Sequence, residues 1–451
     1  MTSTQDQARL QAIEEALSAR WPETDIEPSL ERIAALADML GSPQRSYPTI
    51  HIAGTNGKTT TARMVDALMS AMGLRTGRFT SPHLESVLER VSINGEPISA
   101  ADFIYAYNDI AAYLDVIDEK FDTPLSFFEV ITAIAFVAFA EFPIDIGIIE
   151  CGLGGEWDAT NVVEASVSVI TPIGFDHMNY LGNTLSEIAQ TKAGIIKEGG
   201  SVVLARQEPE AAVELLKRVQ EVGATVAREG IEFSLSSRAL AIGGQLLAIT
   251  IGEYTYDDIF LPLHGKHQGA NAATALAAVS AFFGGQELDL EAVRIGFASV
   301  TSPGRCEVVF RNPTVILDAA HNPHGAKALA ETLENEFTFD EIIGVFAAFA
   351  DKDVVGILNE LEPIINTLIV TQSGSPRAMA TAQLREIAEG IFGADRVKST
   401  ENISDAVKLA ITDARRPSHD ESVGIVITGS VVTVGEARVI LKRLSAPEDE
   451  N

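Results

Sequence analysis

A glycine-rich turn that joins a predicted strand to a predicted helix sets the strongest limit on the fold of this chain. The turn, which is two residues shorter than the common G-x-x-x-x-G-K-[ST] pattern, reads Gly54-Thr55-Asn56-Gly57-Lys58-Thr59. It follows a β-branched run, Thr49 to Ala53, and opens an amphipathic stretch, Thr59 to Met72. Backbone N–H groups at such a turn bind anions, while its lysine and threonine contact phosphate and Mg²⁺. This context favours a phosphate-binding loop over a tight turn with an incidental lysine.

The surrounding chain alternates short β-branched runs with longer amphipathic stretches, which is the pattern of βα units in a largely parallel sheet. The predicted strands are Thr49 to Ala53, Ile144 to Ile149, Ser166 to Thr171 and Ser201 to Leu204. The predicted helices are Thr59 to Met72, Phe128 to Phe139 and the alanine-rich Gly269 to Phe283. Between Ile231 and Leu263, short alternating runs broken by glycines predict an antiparallel patch that closes the first domain.

The turn-forming segment Ser302-Pro303-Gly304-Arg305 predicts a domain boundary, because a new βα series begins just after it. We therefore expect one domain over residues 1–302 and a smaller α/β domain over residues 303–451. The strands predicted for the second domain are Thr314 to Leu317, Ile342 to Phe346, Thr367 to Thr371 and Val423 to Thr428. Its predicted helices include Ala380 to Phe392 and Ser404 to Arg415.

Charge and cysteine content limit the partners and the compartment. A net charge of −30 repels polyphosphates and acidic surfaces, so neither nucleic acid nor a membrane is an expected partner. Cys151 and Cys306 form neither a disulfide framework nor a zinc spacing, and the first twenty residues lack the apolar core of a secretory signal. Acidic residues and a proline interrupt the apolar stretch Val130 to Ile149, which predicts a buried helix followed by a strand. We expect a cytoplasmic protein.

Two titratable side chains follow predicted strands at the edge where open α/β sheets bind ligands. Glu150 comes directly after the second predicted strand, and a carboxylate placed there is typical of a metal site, with a solvated acid as the alternative. His177 follows the third predicted strand and could complete a metal shell, although a lone histidine is more often structural. Lys192 follows a predicted helix, Thr184 to Gln190, and its residue type alone favours an ordinary surface charge.

Further motifs occur in order along nearly the whole chain. In the first half they are His51-Ile52-Ala53 before the turn and Thr60 after it, Thr80-Ser81-Pro82-His83-Leu84, Glu89-Arg90-Val91, Ser126-Phe127-Phe128-Glu129, Glu150-Cys151-Gly152-Leu153-Gly154-Gly155, Asp158-Ala159-Thr160-Asn161, Phe175-Asp176-His177 and Lys192-Ala193-Gly194-Ile195. In the second half they are His267-Gln268, Asn271-Ala272-Ala273, Pro303-Gly304-Arg305, Asp318-Ala319-Ala320-His321-Asn322-Pro323, Thr428-Gly429-Ser430 and Gly435-Glu436. With these motifs the chain resembles the folylpolyglutamate synthase and dihydrofolate synthase branch of the Mur ligase superfamily.

The resemblance implies a fold and an activity. The fold would be a P-loop-containing, Mur-ligase-like ATPase domain followed by a smaller Rossmann-like α/β domain that closes over the active site. The activity would be that of an ATP- and Mg²⁺-dependent ligase that activates a folate-type carboxylate as an acyl phosphate and joins it to L-glutamate. Dihydropteroate and folates are the expected acceptors, in one bifunctional enzyme, and a monomer is the expected state.

The resemblance also assigns residues. ATP would contact Gly54, Thr55, Asn56, Gly57, Lys58, Thr59, Thr60, Asn271, Arg305 and Asp318. Mg²⁺ would be held by Ser81, Glu150 and His177, and the acceptor by Ser81, Pro82, His83, Phe127, Phe128 and Glu129. Lys192 would be a carbamylated lysine that supports a second metal ion. Lys58, Lys192 and His177 are the expected catalytic residues.

Three residues depart from the family pattern, and two other functions remain open. Glu156 replaces a common arginine, Thr191 a common glutamate and Ala319 a common glycine. The first alternative function is a Mur-type amino-acid ligase acting on a cell-wall precursor, although only about fifty residues precede the phosphate loop here. The second is a nucleotide-binding switch without ligase activity.

Overall fold

The structure is a computed structural model that describes residues 4–22, 27–416 and 422–445. The chain divides into two compact units. The first comprises Met1–Ala239, Leu246–Pro262 and Gly269–Val300, and the second comprises Leu240–Gln245, Leu263–Gln268 and Thr301–Asn451. Each unit contains a largely parallel sheet, in agreement with the predicted α/β class.

The main sheet of the first unit has eight strands. They are β1 (Thr49–Ala53), β2 (Thr76–Phe79), β3 (Val91–Ile93), β4 (Glu96–Pro97), β5 (Ile146–Glu150), β6 (Val167–Ile170), β7 (Ser201–Leu204) and β8 (Thr225–Arg228). Their order is β4-β3-β2-β5-β1-β6-β7-β8, and only the pairs β2–β3 and β3–β4 are antiparallel. Every residue of β1 and β5 is buried, which explains why most of their side chains are apolar on both faces of the sheet.

The first unit also contains helices and a second, smaller sheet. The helices are α1 (Thr4–Ser18), α2 (Glu31–Met39), α3 (Lys58–Ala71), α4 (Ala100–Lys120), α5 (Phe127–Glu141), α6 (Met178–Leu181), α7 (Leu185–Ala193), α8 (Pro209–Glu221), α9 (Lys266–Phe282, from Gly269 onward) and α10 (Leu290–Ala298). A second sheet, which belongs to this unit except for Leu240–Gln245, contains β9 (Phe233–Ala241), β10 (Gly244–Ile251) and β11 (Tyr254–Leu261) in the order β11-β10-β9. Two-residue connections join these neighbours, so they run antiparallel, as the alternating pattern predicts.

The apolar stretch Val130 to Ile149 forms a buried helix followed by a strand, as predicted. The helix α5 begins with a capping box in which the Ser126 hydroxyl accepts from the N–H of Glu129 and the Glu129 carboxylate accepts from the N–H of Ser126. It ends at Glu141, and β5 starts at Ile146. No helix in the described part of the chain is long and apolar enough to cross a membrane.

One predicted helix end is wrong. We predicted that the helix beginning at Thr184 ends at Gln190, whereas α7 continues to Ala193. The capping box of Thr184 and Glu187 starts the helix, and no glycine or proline interrupts it before Gly194. Lys192 therefore lies in the last turn of α7 rather than after the helix.

The second unit is built on a six-stranded sheet. Its strands are β12 (Glu307–Phe310), β13 (Thr314–Leu317), β14 (Glu341–Phe346), β15 (Thr367–Val370), β16 (Val397–Ser399) and β17 (Val423–Thr428), in the order β12-β13-β17-β14-β15-β16. Its helices are α11 (Pro323–Glu336), α12 (Val354–Leu361), α13 (Thr381–Phe392), α14 (Ile403–Ala414) and α15 (Val431–Ser445). The four predicted strands form its centre, whereas the short edge strands β12 and β16 were not predicted.

A buried ion pair joins α3 to β2. The guanidinium of Arg78 contacts the carboxylate of Asp66, and the two side chains are 4% and 2% exposed. We expect Arg78→Met to lower the free energy of unfolding by roughly 3–5 kcal/mol, because it leaves the Asp66 carboxylate buried without its cation. Urea unfolding followed by circular dichroism measures this change.

The matched control for this variant is Arg75→Met. Arg75 also pairs with an aspartate, Asp145, but that pair is solvent-exposed, so its loss should barely move the urea midpoint. Equal midpoint shifts in the two variants would contradict a special contribution from the buried pair.

Candidate functional site

The predicted phosphate loop lies between β1 and α3, packed against the end of β6. Gly54 has a φ of +146°, and a Cβ atom built there would lie 1.9 Å from Thr171 Oγ1. The N–H groups of Thr55 and Asn56 donate to the carbonyl of Pro172 at 3.0 and 3.3 Å. These contacts hold the loop in place, so anion binding falls to the first turn of α3, whose N–H groups have no acceptor within the helix.

Two other predicted nucleotide contacts, Lys58 and Asn271, lie close to this loop. The Nζ of Lys58, the first residue of α3, donates to the carbonyl of Thr55 at 3.3 Å. Gly57 has a φ of +87°, and a Cβ atom there would lie 2.6 Å from Oδ1 of Asn271 on α9. The structure therefore brings Asn271 against the loop, although it lies more than two hundred residues away in the sequence.

Three of the predicted metal and phosphate contacts meet at the carboxyl ends of neighbouring strands. Glu150, the last residue of β5, accepts a hydrogen bond from Thr59 Oγ1 at 2.8 Å through Oε1. Its Oε2 accepts from the backbone N–H of Ser81 at 3.3 Å, just beyond β2. Glu150 is 1% exposed, so its carboxylate is buried at this edge of the sheet. The Thr59 hydroxyl and the Ser81 N–H donate to it there. One carboxylate beside two hydroxyl residues is a donor set suited to Mg²⁺, which otherwise keeps waters and phosphate oxygens as ligands.

His177 lies at the start of α6 with a left-handed backbone, φ +51°. Its side chain is 38% exposed, and its Nε2 lies 3.9 Å from Oδ2 of Asp176. Among the described residues, no three His, Cys, Asp or Glu side chains form a metal-binding group. A metal shell that contains both Glu150 and His177 would therefore need oxygen ligands from hydroxyls, phosphate or water, and the role of His177 stays a prediction.

Lys192 is buried, so the prediction from its residue type alone, an ordinary surface charge, is wrong. It is 4% exposed, and its Nζ donates to the carbonyl of Gly54 at 2.9 Å. Burial, and then the nearby charge of Lys58, lower the pKa of Lys192 to about 7. The local sequence did not predict this burial, because it depends on the extension of α7 to Ala193 and on a contact with Gly54, which is distant in the sequence.

Two of the three family departures lie at one backbone contact. The N–H of Glu156 donates to the carbonyl of Thr191 at 2.8 Å. A Cβ atom at Gly155 would lie 2.7 Å from that same carbonyl oxygen, and one at Gly194 would lie 2.4 Å from Cα of Glu156. Because these two glycines lack a Cβ atom, the loop after β5 can approach the end of α7. The two departures, Glu156 and Thr191, are therefore neighbours in the structure, next to Lys192.

The residues predicted to contact the acceptor form two groups. Glu129 is buried and bonded to Arg32, whose Nε donates to its Oε1 at 3.0 Å. Phe128 packs on the loop after β5, since a Cβ atom at Gly152 would lie 2.5 Å from its Cζ. Glu129 and Phe128 therefore contact other parts of the protein, in addition to any role in binding the acceptor.

The second group contains His83 and Phe127. Arg90 lies between them: its Nε donates to His83 Nδ1 at 2.9 Å, and its guanidinium carbon lies 4.9 Å from the centroid of the Phe127 ring. Burial, and then the charge of Arg90, lower the pKa of His83 to about 4. Pro82, the neighbour of His83, is exposed and follows a cis peptide bond.

In the second unit, Asp318 and Arg305 lie close to each other at the end of β13. The carboxylate of Asp318 accepts from the N–H groups of Cys306 and Ala320 at 2.8 and 2.9 Å, and Arg305 Nη1 donates to the carbonyl of Gly304 at 3.0 Å. Burial raises the pKa of Asp318, while the positive charge of Arg305 opposes that rise. The nucleotide contacts that the resemblance assigns to both residues stay a prediction.

Sequence reasoning assigned no role to a buried chain of hydrogen bonds beside Lys192. Asp158 accepts from the N–H of Leu153 at 2.7 Å and from the hydroxyl of Thr160, which also lies 2.8 Å from Nε2 of His51. This chain supports the glycine-rich loop after β5. The motifs that contain these residues were visible, but their mutual contact was not.

Comparisons with known proteins identify the family and the fold of this chain. Two protein-family models match, the Mur ligase middle domain over residues 52–279 and the Mur ligase, glutamate ligase domain over residues 304–431. The chain is 51% identical to the dihydrofolate synthase/folylpolyglutamate synthase of Mycobacterium tuberculosis, across 97% of this chain and 94% of that relative. The structure of M. tuberculosis folylpolyglutamate synthase complexed with ADP superposes with a TM-score of 0.93 at 51% identity, covering 97% of this chain and 99% of that one. E. coli FolC in complex with DHPP and ADP gives a TM-score of 0.85 at 30% identity, with coverage of 97% and 98%.

Proposed function

The chain belongs to the dihydrofolate synthase/folylpolyglutamate synthase family of Mur ligases, and on that premise we propose that it joins a folate-type carboxylate to the amino group of L-glutamate at the expense of ATP. The observation that carries this proposal is the meeting of Lys58, Thr59, Glu150 and Lys192 around the loop at Gly54. ATP phosphorylates the acceptor carboxylate to an acyl phosphate and leaves as ADP. The amine of glutamate then attacks the acyl carbon, and phosphate leaves as the amide bond forms.

The side chains around the loop have distinct tasks in this scheme. The first turn of α3 binds phosphate oxygens through its N–H groups, and the ammonium of Lys58 offsets the charge that moves with the transferred phosphoryl group. Thr59, Ser81 and Glu150 would hold Mg²⁺, with His177 as a further ligand. When bound, Mg²⁺ offsets the repulsion between the acceptor carboxylate and the phosphates.

We propose that Lys192 is carbamylated. Its neutral amine would add to CO₂ to form a carbamate with release of one proton, and a pKa of about 7 makes that neutral amine available near neutral pH. The modified nitrogen keeps one N–H, so it can still donate to the carbonyl of Gly54. Modification also turns the repulsion between Lys192 and Lys58 into attraction, because the carbamate is an anion.

Further proposals concern the acceptors, the oligomeric state and the compartment. We propose that the enzyme is bifunctional, accepting both dihydropteroate and folates, as the name of the M. tuberculosis relative and the DHPP bound to E. coli FolC suggest. We also propose a cytoplasmic monomer without nucleic-acid or membrane partners, in keeping with a net charge of −30 and two buried, unpaired cysteines. Residues 303–451 are proposed as the second domain, which limited proteolysis near Ser302 would release.

The test of the proposed function is phosphate release from ATP and Mg²⁺ with L-glutamate. Dihydropteroate, tetrahydrofolate and no acceptor are compared in parallel. Release with both acceptors is the expected result, and release with only one would restrict the enzyme to that reaction. Release that needs a cell-wall nucleotide precursor would support the other type of Mur ligase, and no acceptor-dependent release would support a switch.

The proposed metal ligand His177 gives a separate prediction. We expect His177→Ala to raise the Mg²⁺ concentration needed for half-maximal rate by roughly tenfold or more, because one ligand of the ion is lost. A Mg²⁺ titration at saturating ATP measures the effect. His324→Ala is the control from the second unit, and an unchanged Mg²⁺ requirement in His177→Ala would assign that histidine a structural role only.

A further inference from the structure

Arg90 contacts two residues proposed to bind the acceptor. It is itself 4% exposed, whereas His83 and Phe127 on either side of it are only half-buried. A buried side chain between two accessible ones is placed to act on a ligand through its neighbours. The inference from this arrangement rests on the proposed function only for the identity of that ligand.

The hydrogen bond between Arg90 and His83 determines which ring nitrogen carries the proton. A guanidinium can only donate, and here its Nε donates to Nδ1 of His83 at 2.9 Å. Nδ1 must therefore be the unprotonated acceptor, and the single ring proton of the neutral imidazole must lie on Nε2. The result is a histidine that presents an N–H donor at Nε2.

Other contacts hold Arg90 and His83 in place. The carboxylate of Glu89 accepts from the N–H groups of Leu84, Glu85 and Ser86 at 2.8, 3.1 and 3.2 Å, which holds the loop next to His83. The carbonyl of Arg90 accepts from the N–H of Thr80 at 2.9 Å, which closes the base of the loop. On the other side, the Phe127 ring lies against the guanidinium, and such a cation–π contact fixes the plane of the arginine.

We propose that Arg90 is a positioning residue for the acceptor, which holds His83 in the Nε2–H tautomer so that it donates a hydrogen bond to the heteroaromatic ring of the folate-type substrate. Phe127 offers an apolar face beside that donor. A pterin suits such a site, because it combines a flat ring with carbonyl and ring-nitrogen acceptors at its edge. Neither ATP nor glutamate contacts Arg90 in this proposal.

The first experiment observes the tautomer directly in the wild-type chain. Long-range ¹H–¹⁵N spectra of protein labelled with ¹⁵N-histidine distinguish a protonated Nε2 from a protonated Nδ1, and loss of the His83 signals in His83→Gln assigns them among the eight histidines. The expected result is the Nε2–H form without any substrate. A protonated Nδ1 at neutral pH would overturn the proposal, whether or not the enzyme uses folates.

The second experiment uses kinetics of Arg90→Lys, which keeps the charge but loses the planar donor. We expect the KM for the pterin acceptor to rise roughly tenfold, as for one lost hydrogen bond, with kcat and the KM for ATP changed less than about twofold. Arg45→Lys is the matched control, since Arg45 forms an exposed pair with Glu164. An equal rise in both KM values would mean general damage and would overturn the proposal.

A double-mutant cycle tests whether Arg90 acts through His83. In a His83→Ala background, Arg90→Lys should change the acceptor KM by less than about twofold, because the group that Arg90 positions is already gone. A full tenfold effect in that background would overturn the proposal. If wild-type enzyme turns over no folate at all, the proposed function fails, and the tautomer measurement still decides the inference about Arg90.

Discussion

Lys58→Ala lowers the rate of acceptor-dependent phosphate release by roughly a thousandfold or more, because it removes the cation placed at the transferring phosphoryl group. Lys58 opens α3 and already reaches back over the loop to the carbonyl of Thr55, so its ammonium lies where the phosphates would bind. Lys58 itself is only partly buried. The fold should therefore survive the change.

The comparison for this variant is Lys217→Ala, which removes an exposed lysine of α8. Circular dichroism and thermal melting of both variants should match the wild-type chain, and only Lys58→Ala should be inactive. A folded Lys58→Ala variant with substantial turnover would refute the phosphate-loop assignment.

Lys192→Ala produces the second large effect, a fall in rate of roughly a hundredfold that short carboxylates such as formate or acetate reverse in part. The proposed carbamate would supply an anionic group next to Lys58 and the loop at Gly54. A small carboxylate that enters the vacated space supplies the same charge. Rates measured with increasing acetate reveal the rescue.

The proposed carbamylation of Lys192 should depend on pH, because the pKa of this lysine is lowered. Only the neutral amine adds to CO₂, and the pKa is about 7, so the reactive fraction falls as the pH drops below that value. A ¹³C signal from labelled CO₂ bound to the wild-type chain should weaken accordingly in acid and be absent in Lys192→Ala.

Lys197→Ala tests the specificity of this rescue. Lys197 is also partly buried near the loop after β5, but its Nζ donates to Asn161 rather than to the phosphate loop. Acetate should not stimulate that variant. A wild-type rate in Lys192→Ala without any carboxylate would dismiss carbamylation.

The sequence predicted those parts of the fold whose signal is local. The β-branched run Thr49 to Ala53 and the helix after it could be predicted directly, because a buried parallel strand is rich in such side chains on both faces. The strand Thr314–Leu317 was predicted within its observed bounds for the same reason. The edge strand β16 was missed because its three residues contain a single apolar side chain, Val397, and β12 was missed because its apolar run, Val308 to Phe310, is only three residues long.

The site was predictable only where residues stand at strand ends. Glu150 and the loop could be found because they directly follow apolar runs. The burial of Lys192 could not, since it depends on the approach of α7 to Gly54 across 138 residues of sequence. The contact of Arg90 with His83 and Phe127 was equally hidden, because nothing in the spacing of those residues indicates that they meet.

The hydrogen bonds of Glu150 fix the direction of its carboxylate. Thr59 and Ser81 donate to its two oxygens from different segments of the chain, so the carboxylate has little freedom to rotate. Each carboxylate oxygen has more than one lone-pair site, so it can keep its donor and still accept a second ligand. A cation that binds as proposed would therefore meet a carboxylate that is already ordered, and little side-chain entropy would be lost on binding.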